Sequence, residues 1–219
     1  MKVSSVATCE DTLEASFTGA ASVPSQAPCE SDPCRFTSKQ LAKYRSRVLN
    51  SYALVCYLPE PLGSFFDHLS KKLVPHCQPR SHITLLPPRH LSGPRADAET
   101  TIESVAATLS PFEVEITSIE IFDVTSVIYA DVGEGRERLM QIHKRLDSGA
   151  LRFDEQFPFH PHITLSIDAT ADQIPELAQY ARDEWKAFPY ERRFTVETLH
   201  LVHNVAPGTW KDVRRFHLF

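Results

Sequence analysis

The stretch "FPFHPHITLSID", residues 157–168, has the character of a buried β-strand, yet it carries two polar residues, His162 and Thr164, at alternate positions. A second stretch, "RSHITLLPP" at residues 80–88, repeats the tetrad HITL at 82–85. Side chains two apart in a strand point to the same face. Each tetrad therefore places a histidine and a threonine on one face, and its isoleucine and leucine on the face toward the core.

The hydrophobic periodicity around the tetrads predicts one unit used twice. Strands, helices and paired strands follow one another in a repeated order: strand 51–58, helix 61–74, the first tetrad strand 81–86, helix 97–109, strands 112–122 and 126–132, helix 136–146, the second tetrad strand 157–168, helix 171–188, strands 193–203 and 210–219. We expect Pro87 and Pro88 to end the first tetrad strand, and Asp172 to cap the last helix. Neither half is large enough to bury both faces of a sheet, so we expect two lobes packed as one domain.

Composition limits the class of partner. The chain has 219 residues, 42% of them apolar, and a net charge of −5, without the basic surface that long nucleic acids demand. We expect no long nucleic acid and no membrane as partners, because no apolar run reaches the length of a membrane span and the N-terminal residues lack the apolar core of a signal peptide. The expected location is the cytoplasm, with the nucleus as an alternative.

The N-terminal residues 1–35 are rich in Ser, Ala, Thr and Pro and lack an apolar period, which predicts a flexible tail before a single domain at 36–219. The five cysteines show no CxxC pair, which favours free thiols. Cys29 and Cys34 are the pair that could oxidise or bind a metal, and both fall in the tail.

The paired tetrads supply the groups for phosphodiester cleavage. An imidazole titrates near neutral pH, so of His82 and His162 one could accept a proton while the other donates one. The hydroxyls of Thr84 and Thr164 could donate hydrogen bonds to phosphoryl oxygens. A lone His-x-Thr in an apolar strand is most often structural, but two identical tetrads in matching places of a repeated order favour catalysis.

The two tetrads, 80 residues apart, resemble the paired HxTx signatures of the two-histidine (2H) phosphoesterase superfamily, which includes LigT-like RNA ligases and cyclic nucleotide phosphodiesterases. The resemblance runs from about Ser51 to Phe219. It implies a bilobal, duplicated α+β fold with two antiparallel sheets and outer helices around a central cleft. It also implies chemistry without a metal or other cofactor, on 2′,3′-cyclic phosphates or 2′-5′ linkages of nucleotides or short RNA ends. Carried over by position, His82 and His162 are the acid and base, and Thr84 and Thr164 bind phosphate.

Base recognition would use an aromatic side chain near the cleft. Tyr129 and Phe159 are the candidates we select for substrate binding, with Phe122 and Trp210 behind them. Arg80 and Arg89 flank the first tetrad and could contact phosphate. We expect the protein to act as a monomer.

Two other functions compete with this interpretation. A metal hydrolase could use His160 with His162, or His200 with His203, because imidazole is a common zinc ligand, although no HExxH motif occurs. A nucleotide or RNA-end binding module without turnover is the non-enzymatic alternative. The two threonines favour the metal-free enzyme over the first, and the second titrating histidine favours it over the other.

Overall fold

The computed structural model describes residues 49–75, 80–167, 169–206 and 208–219. The predicted tail at residues 1–35, with Cys29 and Cys34, lies outside these ranges. The described chain forms four α-helices and eight strands: β1 Tyr52–Tyr57, α1 Leu62–Leu73, β2 His82–Arg89, α2 Arg95–Ala106, β3 Phe112–Ile121, β4 Ile128–Val132, α3 Arg136–Leu146, β5 His162–Ser166, α4 Ile174–Ala187, β6 Arg193–Val196, β7 Thr198–Ala206 and β8 Thr209–His217.

The strands form two four-stranded antiparallel sheets, which confirms the predicted fold class. The first sheet has the order β2-β1-β7-β8 and the second the order β5-β4-β3-β6. Both tetrad strands, β2 and β5, are therefore edge strands. The two sheets are completed from different parts of the chain. In the first, β1 pairs with β2 on one side and with β7 of the later pair β7–β8 on the other; in the second, β5 pairs with β4 of the earlier pair β3–β4.

The helices cover one face of the sheets through apolar stripes at helical spacing. In α1, Leu62, Phe66, Leu69 and Leu73 are buried, as the periodicity predicts. In α4, the buried Trp185 donates its indole N–H to the carbonyl of Thr117 in β3 at 2.9 Å. These stripes join the apolar residues of both sheets in one core, which includes the isoleucine and leucine of each tetrad.

The first tetrad strand does not end at its prolines, contrary to our expectation. β2 continues through Pro87 and Pro88 to Arg89. In the pairing with β1, Leu86 lies opposite Leu54 and Arg89 opposite Tyr52, with a register shift between them. The prolines thus occupy an irregular segment of an edge strand, where a missing N–H costs no ladder hydrogen bond.

Two other boundaries also differ from the prediction. The strand expected at 193–203 is broken at Glu197, and its two parts enter different sheets as β6 and β7. The apolar positions change phase at the break, from Phe194 and Val196 to Leu199 and Leu201, with the polar pair Glu197-Thr198 between them, and this shift was the available signal for two strands. The last helix begins at Ile174 with Gln173 at the cap position and no capping side-chain hydrogen bond, so Asp172 is not the N-cap.

No helix in the described part of the chain is long and apolar enough to cross a membrane.

Candidate active site

The two tetrad strands lie against each other where the edges of the two sheets meet. β2 contacts β5, and His82 is close enough for its charge to lower the pKa of His162. The side of each sheet that carries its histidine and threonine is called the active-site face below. The duplicated fold thus brings together four groups, His82, Thr84, His162 and Thr164, that are far apart in the sequence.

Both histidines are held in the same tautomer by the same local contact. The Nδ1 of His82 lies 2.7 Å from the carbonyl oxygen of Arg80, and the Nδ1 of His162 lies 2.7 Å from that of His160. A carbonyl oxygen can only accept, so each Nδ1 carries the proton and donates it. The other ring nitrogen, Nε2, is then the atom available for proton transfer in both imidazoles.

Helix α1 fixes the start of the first tetrad strand. The carboxylate of Asp67 accepts hydrogen bonds from the backbone N–H of Ser81 at 2.7 Å and from its hydroxyl at 2.6 Å. Ser81 is buried and immediately precedes His82. The imidazole is therefore positioned by a helix-to-strand contact as well as by its own backbone.

In the second tetrad, the threonine and the histidine converge on one point. The Oγ1 of Thr164 lies 3.1 Å from the Nε2 of His162. Because the proton of this imidazole is on Nδ1, the hydroxyl donates to Nε2. A phosphoryl oxygen placed beside these two atoms could take the hydroxyl's hydrogen bond and leave Nε2 free for proton transfer.

Both imidazoles are less basic than free histidine. Burial lowers the pKa of His162 to about 4, against the hydrogen bond to His160, and the charges of His160 and His82 lower it further. Burial also lowers the pKa of His82, with Arg80 adding to the effect. Both side chains are thus neutral at pH 7 when the site is empty, and an anion bound beside them would favour their protonated forms.

A charged cluster flanks His82 on the first sheet. Tyr57 lies directly opposite His82, and its hydroxyl donates to Asp212 at 2.8 Å. Arg80 stacks on the Tyr57 ring, 3.3 Å from the centroid, and also donates to Asp212 at 2.9 Å. The ring of His200 meets the other side of this cluster, 4.7 Å from Tyr57 between centroids. Arg80 therefore lies beside the tetrad, and its charge is paired with that of Asp212.

A corresponding cluster flanks His162 on the second sheet. Asp131 lies directly opposite His162 and receives two hydrogen bonds of 2.6 Å from Arg136. The Nε2 of His160 also donates to Asp131, at 2.9 Å. Sequence reasoning missed Asp131 and Arg136. The available signal was an aspartate inside the apolar strand "SVIYADV", but its partners come from elsewhere in the chain.

The predicted aromatic residues occupy different surroundings. Tyr129 is buried opposite Thr164, its ring stacked on Phe122 at 3.9 Å, and both rings meet the His162 ring edge-on. Phe159 stacks on His143 of α3 at 3.9 Å between ring centroids. Trp210 is exposed near the start of β8. Tyr129 and Phe122 are thus beside the catalytic candidates, whereas one face of Phe159 is covered by a helix residue.

Arg89 does not lie free to contact phosphate. Its side chain is only 1% exposed and donates to Glu155 at 2.5 Å and to the carbonyl of Leu151 at 2.9 Å. This buried ion pair links β2 to the segment that leads into β5. Arg89 therefore connects the two tetrad strands and takes a structural place.

The histidine pairs considered as metal ligands have other contacts. His160 is held by Asp131, as described above. His200 contacts Tyr57, whereas His203 stacks on Tyr52 with 4.4 Å between centroids. Across the described ranges, no group of three or more His, Cys, Asp or Glu side chains is arranged to hold a metal ion.

A duplicated α+β fold with a histidine and a threonine on each of two contacting edge strands is the architecture of a two-histidine phosphoesterase. The model of the 2′-5′ RNA ligase superfamily matches residues 58–207, and the chain belongs to this superfamily. It is 27% identical over 174 residues to a candidate phosphoesterase of Geobacillus kaustophilus, covering 75% of this chain and 94% of that one.

Solved structures show the same fold. TT0787 of Thermus thermophilus matches with a TM-score of 0.56 at 19% identity, covering 77% of this chain and 97% of that one. LigT of E. coli in complex with 3′-AMP matches with a TM-score of 0.55 at 20% identity, covering 77% and 98%. Family and fold together support phosphodiesterase activity as the general class of chemistry.

Proposed function

We propose that the protein is a metal-independent phosphodiesterase that acts on 2′,3′-cyclic phosphates or 2′-5′ linkages of nucleotides or short RNA ends. His82 and His162 would serve as general acid and base, and Thr84 and Thr164 would bind the phosphate. Residues 36–219 would form the catalytic domain and act as a monomer. The observation that carries this proposal is the matched pair of imidazoles, each with Nδ1 bonded to a carbonyl and Nε2 left for the substrate.

In hydrolysis of a cyclic phosphate, one Nε2 accepts a proton from water as the water oxygen bonds to phosphorus. The bond from phosphorus to one ribose oxygen breaks, and the second imidazolium donates its Nε2 proton to that oxygen. The product is a nucleoside monophosphate. The threonine hydroxyls would donate to the nonbridging oxygens as negative charge accumulates on them. For a 2′-5′ linkage, a ribose hydroxyl replaces water as the attacking group.

The lowered pKa values fit this scheme once the substrate's charge is included. A neutral imidazole is ready to act as the base, and the phosphate anion stabilises the protonated form of the other. That E. coli LigT binds 3′-AMP in a crystal supports the nucleotide class, because a nucleoside 3′-phosphate is one product of cyclic phosphate hydrolysis.

A product-resolved assay tests the reaction class. Purified protein would be treated with EDTA and incubated with nucleoside 2′,3′-cyclic phosphates, ADP-ribose cyclic phosphate and 2′-5′ dinucleotides. We expect turnover of at least one without added metal, and the identity of the monophosphate gives the regiochemistry. Activity that is lost in EDTA and restored by zinc would favour the metal hydrolase, and tight binding without conversion would favour the binding module.

Substitution of the histidines tests the mechanism. His82→Ala and His162→Ala should each lower turnover by about 10²–10⁴-fold, the usual contribution of general acid–base catalysis. His68→Ala is a matched control, because His68 is an exposed histidine on α1 whose Nδ1 donates to the carbonyl of Ser64 within the same helix. Near wild-type turnover in either tetrad variant, with an intact fold by circular dichroism, would refute the assignment.

A further inference from the structure

A row of four side chains crosses the active-site face of the first sheet. Thr84 lies directly opposite Val55, Val55 opposite His200, and His200 opposite Arg215. Directly paired residues share a face of the sheet, so His200 and Arg215 lie on the same face as the phosphate-binding candidate Thr84. With neighbouring strands about 4.8 Å apart, the row spans about 14 Å from its first strand to its last.

Arg215 ends this row with an exposed guanidinium. Within the described part of the chain, Arg215 has no carboxylate partner. The neighbouring Arg214 points to the opposite face and pairs with Glu103 at 2.6 Å and Glu99 at 3.4 Å of α2. Two adjacent arginines on one strand thus differ in role: one fastens a helix to the sheet, and the other is left on the active-site face.

The surroundings of His200 also carry positive charge. Burial lowers the pKa of His200, and Arg215 is the charged group that lowers it most, with Arg80 and His217 acting in the same direction. The one carboxylate that opposes them is Asp212, which already receives hydrogen bonds from Arg80 and Tyr57. The far end of the row therefore has positive charge that its own neighbours do not neutralise.

The second sheet has the opposite balance beside its tetrad. Asp131 is neutralised by Arg136, and Glu120 lies 3.9 Å from Arg182. Asp123 has no cationic partner among the described residues, yet its charge reaches Tyr129 on the active-site face. A second phosphate of the substrate would be repelled from this side and attracted to the first sheet.

We propose that Arg215, together with His200, binds a backbone phosphate of an RNA strand whose reactive end lies at the two tetrads. An oligonucleotide end, which spans the row, is then a better substrate than a single nucleoside cyclic phosphate, which does not. The inference deepens the phosphodiesterase function proposed above and rests on it. Its physical basis is the charge-assisted hydrogen bond that a guanidinium donates to a phosphate oxygen.

Two substrates and two variants test this site. Adenosine 2′,3′-cyclic phosphate is compared with a triadenylate that ends in a 2′,3′-cyclic phosphate, and the ratio of their kcat/KM values is measured. The wild-type ratio should favour the trinucleotide, and Arg215→Gln should lower that ratio about tenfold, as expected for the loss of one charge-assisted contact. Arg214→Gln, on the other face of the same strand, should keep the wild-type ratio. The salt dependence of log kcat/KM for the trinucleotide should become shallower by about 0.7 in Arg215→Gln.

An unchanged ratio in Arg215→Gln, or an equal fall in Arg214→Gln, would overturn the site. If neither substrate is turned over, the proposed phosphodiesterase function fails, and binding then decides the subsite separately. Fluorescence anisotropy with labelled triadenylate should show weaker binding to Arg215→Gln than to the wild-type protein. Equal affinities in that measurement would also overturn the site.

Discussion

Phosphate bound between the two tetrads should raise the pKa of His162 from about 4 to near neutrality. To be half protonated at pH 7, this imidazole needs a rise of about 3 units, which corresponds to about 4 kcal/mol. Opposite unit charges about 4 Å apart, at the effective dielectric constant of about 20 found near protein surfaces, interact by about 4 kcal/mol. A single phosphate oxygen at contact distance from Nε2 therefore suffices.

The measurement is an NMR titration of protein labelled with ¹⁵N in its histidines, with and without saturating inorganic phosphate. His162→Gln identifies the resonance by its loss. In the empty site, the titration should show Nδ1 as the protonated nitrogen, since this atom donates to the carbonyl of His160. His68, exposed on α1, is the control, and phosphate should leave its ¹⁵N chemical shifts unchanged.

The reasoning is refuted if phosphate leaves the pKa of both His162 and His82 unchanged while the enzyme turns over at neutral pH. In that case neither imidazole could hold the proton that the leaving oxygen requires. A shift confined to His82 would instead assign the acid to the first tetrad and the base to the second.

Three further predictions concern stability. Arg89→Leu should lower the free energy of unfolding by about 3–5 kcal/mol, because it leaves the carboxylate of Glu155 without its buried partner; urea denaturation measures this, and a cost below about 1 kcal/mol would contradict it. In thermal denaturation, Gly135→Ala should lower the melting temperature more than Gly149→Ala does. Both glycines have positive φ, but a Cβ at Gly135 would lie 2.5 Å from the backbone carbonyl oxygen of Glu113, whereas a Cβ at Gly149 would meet open space. His162→Gln should make the protein less sensitive to acid. Between pH 6.5 and about 4 this imidazole is protonated in the unfolded wild-type chain and neutral in the folded one, so the free energy of unfolding of the wild type falls by up to about 3 kcal/mol as the pH is lowered. An equal fall of the urea midpoint with pH in the wild type and in the variant would contradict this.

Local patterns predicted the order of the elements well, because most helices and strands here have a clear apolar period. They could not predict the partners of each strand. The strand pair β3–β4 adjoins β5, and β7–β8 adjoin β1 and β2, although either arrangement satisfies the same alternation. The break at Glu197 did leave a signal, because the apolar positions shift from Phe194 and Val196 to Leu199 and Leu201 across it. The pattern gives no indication, however, that the two parts enter different sheets.

In the candidate site, too, local features were predictable and contacts between distant residues were not. The tetrads were recognisable as a candidate site because each places a histidine and a threonine two residues apart, and the identity of the two copies is itself a signal. The clusters that flank them were not. Asp212 lies 155 residues from Tyr57 and 132 from Arg80, and it meets them only when β8 has joined the first sheet. Arg89 could contact phosphate by its position in the sequence, whereas the structure buries it against Glu155.

The two sheets are made at different times during synthesis, because the first contains β1, β2, β7 and β8 and the second contains β3 to β6. All strands of the second sheet have been translated once Val196 leaves the ribosome, whereas the first sheet is complete only when β7 and β8 have been made. The half-site with His162 can thus assemble on the nascent chain before the half-site with His82. The two imidazoles thus belong to sheets that are completed at different stages of synthesis, the second sheet with β6 and the first with β8.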